Sequence, residues 1–261
     1  MVQWPWRRSG PRVRGLPPSA NGASSLHLRW DLDGPLQEVS VELTVELPPR
    51  VPRLYFWALQ ADFAEAGGRP AGGAHLGLQW HPGHPGSTAV NWGGYHPAGG
   101  ELTGTASQLP SATGNPNTRD HPWVPGRPYR LSVAPAPAGE QPGGGVTAWR
   151  GTVIDAADGR VTTVRDLLVP GDRIRGALVW SEVFARCDDP QVAVRWSAPR
   201  AVGPGGAALQ PVRAAVSYQS QAEGGCANTD SSPVAHPGPG ITQRTNCERA
   251  TPGGSMIPWP G

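Results

Sequence analysis

The sequence predicts an all-β protein: two antiparallel sheets packed as a jelly-roll-like sandwich, with irregular N- and C-terminal extensions. Three observations carry this reading. Many short runs alternate apolar and polar residues with a period of two, the signature of a half-buried strand. The 36 Gly and 31 Pro fall between those runs, where turns need them. The 11 Trp sit mostly inside the runs, which separates this Gly/Pro-rich chain from a disordered one.

Taken in order, residues 1–23 are Pro-, Gly- and Arg-rich and read as an arm, with Trp4 and Trp6 as docking points. VELTVEL (41–47) alternates cleanly, with Val41, Leu43, Val45 and Leu47 on one side and Glu42, Thr44 and Glu46 on the other. RLYFWALQADF (53–63) is apolar on both faces at first and fits a central strand. ADFAEAGG reads as a turn.

HLGLQW (75–80) and STAVNW (87–92) follow, joined by HPGHPG. Further runs lie at 127–133, 145–155, 159–169, 173–184, 192–197 and 212–220. PAPAGEQPGGG, AADG, VPGD, CDDP and VGPGG separate them, and AADG between two alternating runs is a hairpin signal. Short strands at this spacing, about ten to twelve, mean a sandwich or a barrel. Residues 24–220 are expected to form the sandwich domain. Residues 221–261 are polar, Gly/Pro-rich and weakly periodic, and are expected to be an extension.

Charge excludes some partners. The formal net charge is +2, and the 22 basic residues, all Arg, are scattered apart from Arg7, Arg8, Arg12 and Arg14. No strong electrostatic partner such as nucleic acid is implied. No apolar run approaches the ~20 residues of a membrane-spanning helix. The first fifteen residues show no signal-peptide core. Three Cys are too few for a disulfide scaffold. Cys226 and Cys247, flanking a Gly/Ser/Pro-rich loop, are the expected bridge, which would leave Cys187 over.

The stretch 72–97 holds four of the seven His. His81 and His84 have HxxH spacing, but the Pro and Gly residues between and after them forbid a helix. A zinc site needs three or four ligands, with only His75 or His96 to add. Exposed loop histidines, and no metal, are expected here. The aromatic residues suit a sugar platform, in which a ring stacks on the C–H face and polar side chains take the hydroxyls. Trp92, Tyr95 and Asn91 would form it, with Trp80 and Gln79 beside them. The competing reading places Trp80 and Trp92 in the core.

Glu182, mid-strand among Leu178 and Trp180, is the unusual carboxylate. Its expected fate is an ion pair with Arg150 or Arg195; buried and unpaired, it would carry a shifted pKa. As a catalytic alternative, Glu182 and His81 would serve as acid and base, with Arg150 or Arg195 holding an acidic sugar. No G-x-S-x-G elbow, phosphate loop or dinucleotide fingerprint is present. DLDG (31–34) and CANTD (226–230) offer close oxygen ligands without matching an EF-hand loop, so no cofactor is expected beyond a structural Ca²⁺.

LYFWALQADF, GGAHLGLQ, WVPGRPYRLSV (with Trp123, Gly126 and Tyr129) and VTAWRGTVIDAADG together resemble the strand sequence of concanavalin A-like β-sandwiches, particularly bacterial extracellular domains of that superfamily. The resemblance covers about positions 39–197. It implies a sandwich that binds or cleaves glycans. The glucanases' E-x-D-x-x-E is absent. Gln79 and His81 match the lyases' Q-x-H, but the matching Arg/Glu strand is missing, Arg186 and Glu182 having the wrong order and spacing. The function expected is therefore a non-catalytic carbohydrate-binding or surface-associated module, extracellular by the same analogy, with a glycan or polysaccharide as partner. A polysaccharide lyase or glycoside hydrolase on the same fold is the alternative, and a structural protein-interaction domain the third.

Overall fold

The computed structural model describes residues 11–32, 34–236 and 238–260. Among them sixteen strands form: β1 (Ser24–Trp30), β2 (Glu38–Leu47), β3 (Tyr55–Ala64), β4 (Pro70–Trp80), β5 (Thr88–Tyr95), β6 (Thr118–Asp120), β7 (Pro128–Pro135), β8 (Thr147–Asp155), β9 (Val161–Val169), β10 (Arg173–Val183), β11 (Ala193–Val202), β12 (Ala208–Leu209), β13 (Arg213–Tyr218), β14 (Thr229–Val234), β15 (Gly240–Thr245) and β16 (Met256–Pro258). One sheet runs β16-β13-β1-β10-β3-β4-β5-β6 and the other β14-β15-β11-β2-β7-β8-β9, with β12 beside β11. Every pairing between these strands is antiparallel. This is the two-sheet sandwich the alternation predicts.

The core lies between the sheets. The first contributes Leu26, Leu28, Trp57, Leu59, Leu76, Leu78, Val90 and Trp92, and the second Val41, Leu43, Val45, Leu131, Trp149 and Trp196. In β2 the period-two reading holds: Val41, Leu43 and Val45 are buried, while Glu42 and Glu46 face outward and pair with Arg130 (2.6 Å) and Arg195 (2.7 Å). β3 is central, between β10 and β4, as its two apolar faces required. Its inner face joins the main core, and its outer Phe56 and Ala58 pack with Leu178 and Trp180 of β10 in a separate cluster.

The tail differs from the irregular extension expected. It supplies β14 and β15 to one sheet and β16 to the other. The reason is a polar core. Gln243 of β15 is buried, and its Oε1 accepts hydrogen bonds from Trp196 Nε1 (3.0 Å) and Ser181 Oγ (2.7 Å). Its Nε2 donates to the Leu26 carbonyl (3.1 Å). A buried amide satisfied in this way replaces an apolar side chain and hides the strand from a hydrophobicity pattern.

The cysteine expectation is also corrected. The bridge is Cys187–Cys226, with Cα atoms 5.6 Å apart, and Cys247 is free. Cys247 lies beside Asn228, its backbone N–H donating to the Asn228 carbonyl (3.0 Å) and its Sγ directed toward the Arg244 carbonyl. The arm organises the other partner: the Gly15 carbonyl accepts from Cys187 N–H (2.8 Å) and the Arg12 carbonyl from Ala227 N–H (2.7 Å). Trp4, Trp6, Arg7 and Arg8 lie outside the described residues.

Candidate functional site

Register on the first sheet decides which side chains meet on its outer face. Ser25 of β1, Glu182 of β10, Phe56 of β3 and Gln79 of β4 stand opposite one another in one row. His27, Trp180 and Ala58 form the next row, and Leu178, Gln60 and His75 the one after. Directly opposed residues in an antiparallel pair point to the same face. A groove of about 470 Å³ opens over them, lined by Asn21, Ser25, His27, Phe56, Gln60, His75, Tyr95, Trp180 and Glu182. Two shallower depressions continue it. One, toward β13, shares Asn21, Ser25 and His27 and adds Ser217, Gln219 and Glu223. The other shares Gln60, His75 and Tyr95 and adds Asp62, His96 and Arg175. Together they make a trough across the sheet.

Four rings form one side of the groove. Phe56 meets Trp180 edge-on at 4.8 Å and His75 at 5.6 Å, and His75 lies 6.2 Å from Tyr95. The Gln60 amide is oriented from both ends. Its Oε1 accepts from Trp180 Nε1 (3.1 Å), and its Nε2 donates to Asp62 Oδ1 (2.8 Å). Asp62 is in turn paired with Arg29 (3.1 Å).

Glu182 is the unbalanced charge. Its recorded side-chain partner is Asn21 at the groove rim, whose Nδ2 donates to Oε1 at 2.7 Å. Burial raises its pKa above the ordinary carboxylate value, opposed by the Asn21 hydrogen bond. Burial also lowers His75 to about 4, so its imidazole is neutral near pH 7. His27 is lowered by burial and then by Arg29. Glu182 is therefore the carboxyl of the groove whose pKa is raised by burial.

The arginines expected beside it are elsewhere. Arg150 lies on the other sheet, bonded to Asp166 (2.8 Å) and to Glu140, and Arg195 on that sheet pairs with Glu46 (2.7 Å). His81 lies past the end of β4, in the turn, where its Nδ1 accepts the Gly83 N–H (3.0 Å). Glu182, His81 and Arg150 do not converge.

The expected sugar platform is divided by strand alternation. Trp92 is wholly buried, with Nε1 donating to the Trp149 carbonyl (3.2 Å). Trp80 points the same way and packs edge-on against Trp123. Their neighbours Asn91 and Gln79 face outward but are buried, Asn91 donating to Thr118 Oγ1 (2.8 Å). Tyr95, 54% exposed, is the one member that lines the groove. Sequence reasoning singled out Glu182 and Tyr95. It missed Asn21, His27 and Gln60, which no motif marks. The doubly apolar face of β3 was the available signal for Phe56.

His84, expected in an exposed loop, is buried against Asp120 instead. No three His, Cys, Asp or Glu side chains converge for a metal among the described residues. Of the suggested Ca²⁺ ligands, Asp31 pairs with Arg213 (2.6 Å), and Asp230 Oδ1 accepts the Ala250 (3.0 Å) and Thr251 (2.9 Å) N–H groups. A depression of about 590 Å³ on the other sheet is larger than the groove. Its lining Arg130 is paired with Glu42 (2.6 Å).

No protein-family profile matches the chain, and no curated protein matches it. Among solved structures it is similar to scytalido-glutamic peptidase with a peptide-based transition state analogue, at 12% identity and a TM-score of 0.48, covering 85% of this chain and 97% of that one. It is also similar to SCP-B, a member of the eqolisin family of peptidases in complex with the tripeptide Ala-Ile-His, at 11% identity and a TM-score of 0.45, covering 85% and 96%. The likeness is one of strand arrangement.

Proposed function

We propose that the chain is a hydrolase of extended peptides, with Glu182 as its general acid–base group. The observation that carries this is a carboxyl without a cationic partner, its pKa raised by burial, in a solvent-open trough. Perturbed titratable groups in clefts are the usual mark of acid–base chemistry.

In this reading the ionised Glu182 takes a proton from water as the water oxygen bonds to the carbonyl carbon. Asn21 Nδ2 retains a second N–H, which can donate to the developing oxyanion. Collapse breaks the C–N bond, and the proton held by Glu182 passes to the leaving nitrogen. Glycoside hydrolysis fits less well, because its two carboxyls stand within roughly 10 Å of each other. Of the other carboxylates on this side, Glu223 is held by Ser220, Asp120 shares the Glu182 row but lies four strands away, and Asp62 is opposite Gly176, six positions along β10 from Glu182. That is about 20 Å at ~3.3 Å per residue.

The test is cleavage of an unfolded protein between about pH 3 and pH 7, with Glu182→Gln as the control. The variant should lose about 100-fold or more. Full activity in Glu182→Gln would overturn the assignment.

A second reading, a glycan-binding module without catalysis, is favoured by the exposed Tyr95 ring beside His75, Phe56 and Trp180. Depletion of the protein by a polysaccharide, with no peptide cleavage at any pH, would select it. The Cys187–Cys226 bridge supports an oxidising, extracellular location under either reading.

A further inference from the structure

The turn joining β4 to β5 carries a hydrogen-bonded chain apart from the groove. His84 Nδ1 lies 2.5 Å from Asp120 Oδ1, and His84 Nε2 lies 3.3 Å from Thr113 Oγ1. The His84 side chain is wholly shielded from solvent, whereas Thr113 is exposed. An ionised Asp120 can only accept, so it holds the hydrogen on Nδ1 and turns the Nε2 lone pair toward the hydroxyl. Carboxylate, imidazole and hydroxyl in that order form the arrangement that activates an alcohol as a nucleophile.

A clamp for the loop would not need this order. The loop is already tied by Ser111 Oγ donating to the Thr118 carbonyl (2.8 Å) and Ala112 N–H donating to Asp120 Oδ1 (3.1 Å). The Thr113–His84 contact is additional to both. The 3.3 Å separation is within the looser range of such pairs before a substrate is bound.

We propose that Thr113 Oγ1 is an activated nucleophile that accepts acyl or phosphonyl groups from reactive esters and their analogues. With an ester, Oγ1 bonds to the carbonyl carbon and its proton passes to His84 Nε2. The ester C–O bond then breaks, and the leaving oxygen takes that proton. His84 has no exposed surface from which to activate a second water, so the adduct on Thr113 persists.

The experiment uses a small fluorophosphonate on the folded chain, followed by peptide mass mapping. The P–F bond breaks, a P–O bond forms at Thr113, and the hydroxyl proton leaves with fluoride. Thr113 should be modified about 100-fold faster in the native protein than in the urea-unfolded chain. Thr113→Ser should keep the adduct at that position, and His84→Gln should remove the native advantage. An equal rate in native and unfolded protein would overturn the proposal. That comparison needs no variant, so it decides even if His84→Gln fails to fold.

Discussion

Replacing Trp92 by alanine separates a core role from a ligand platform. The indole is wholly buried between the sheets, and its N–H donates to the Trp149 carbonyl. Truncating a buried Trp to Ala costs about 3–5 kcal/mol in transfer and cavity terms. The lost hydrogen bond adds about 1 kcal/mol. The sum, about 4–6 kcal/mol, is a large share of the stability of an ordinary domain. For a chain of this size it should lower Tm by roughly 10–20 °C. Gly151 supplies an internal check. A Cβ there would lie 2.6 Å from the Trp92 ring, so Gly151→Ala should destabilise the wild type by about 1–3 kcal/mol. In the Trp92→Ala background the same change has no ring to meet, so the cycle should show a coupling of similar size. The assay is thermal unfolding by circular dichroism of the four proteins. A Trp92→Ala variant melting within about 3 °C of wild type, with Gly151→Ala unaffected by its background, would refute the packing argument.

Other outcomes follow from the same structure. Cys187→Ser should cost about 4 kcal/mol by the loop-entropy relation applied to the 39-residue separation, whereas Cys247→Ser should be neutral; non-reducing peptide mapping that pairs Cys226 with Cys247 would contradict this. His121 is buried and its pKa is lowered to about 4, by burial and then by Arg160. Above pH 6.5 it is neutral folded or unfolded, and between 6.5 and about 4 only the unfolded chain takes the proton, so its contribution falls by about 3 kcal/mol across that window. His121→Phe should flatten this part of the stability–pH curve, and an unchanged slope would remove His121 as its cause. Glu182 has the opposite sign: its raised folded pKa favours the protonated form, so its contribution is full below the ordinary Glu value and lost as pH rises. Glu182→Gln should therefore be more stable than wild type at pH 7 and no more stable in acid; a destabilised variant at pH 7 would show that the carboxylate is held by more than Asn21.

The sequence by itself determined the sandwich and the face on which each clearly alternating side chain lies. Period-two alternation is a local property, and VELTVEL needs no partner strand to display it. The same alternation puts Asn91 and Trp92, and Gln79 and Trp80, on opposite faces, which the expected platform overlooked. It also marked Glu182 as a carboxylate among apolar residues. Only the tertiary structure decided what Glu182 meets. β1, β10, β3 and β4 are adjacent in space but scattered along the chain, and the arm brings Asn21 from a segment with no periodic signal. Among the tail strands, β15 was hidden because Gln243 is buried with its hydrogen bonds made by distant partners. The disulfide followed the same logic: nearness in sequence suggested Cys226 with Cys247, and the packing of the arm against the loop after β10 placed Cys187 there instead.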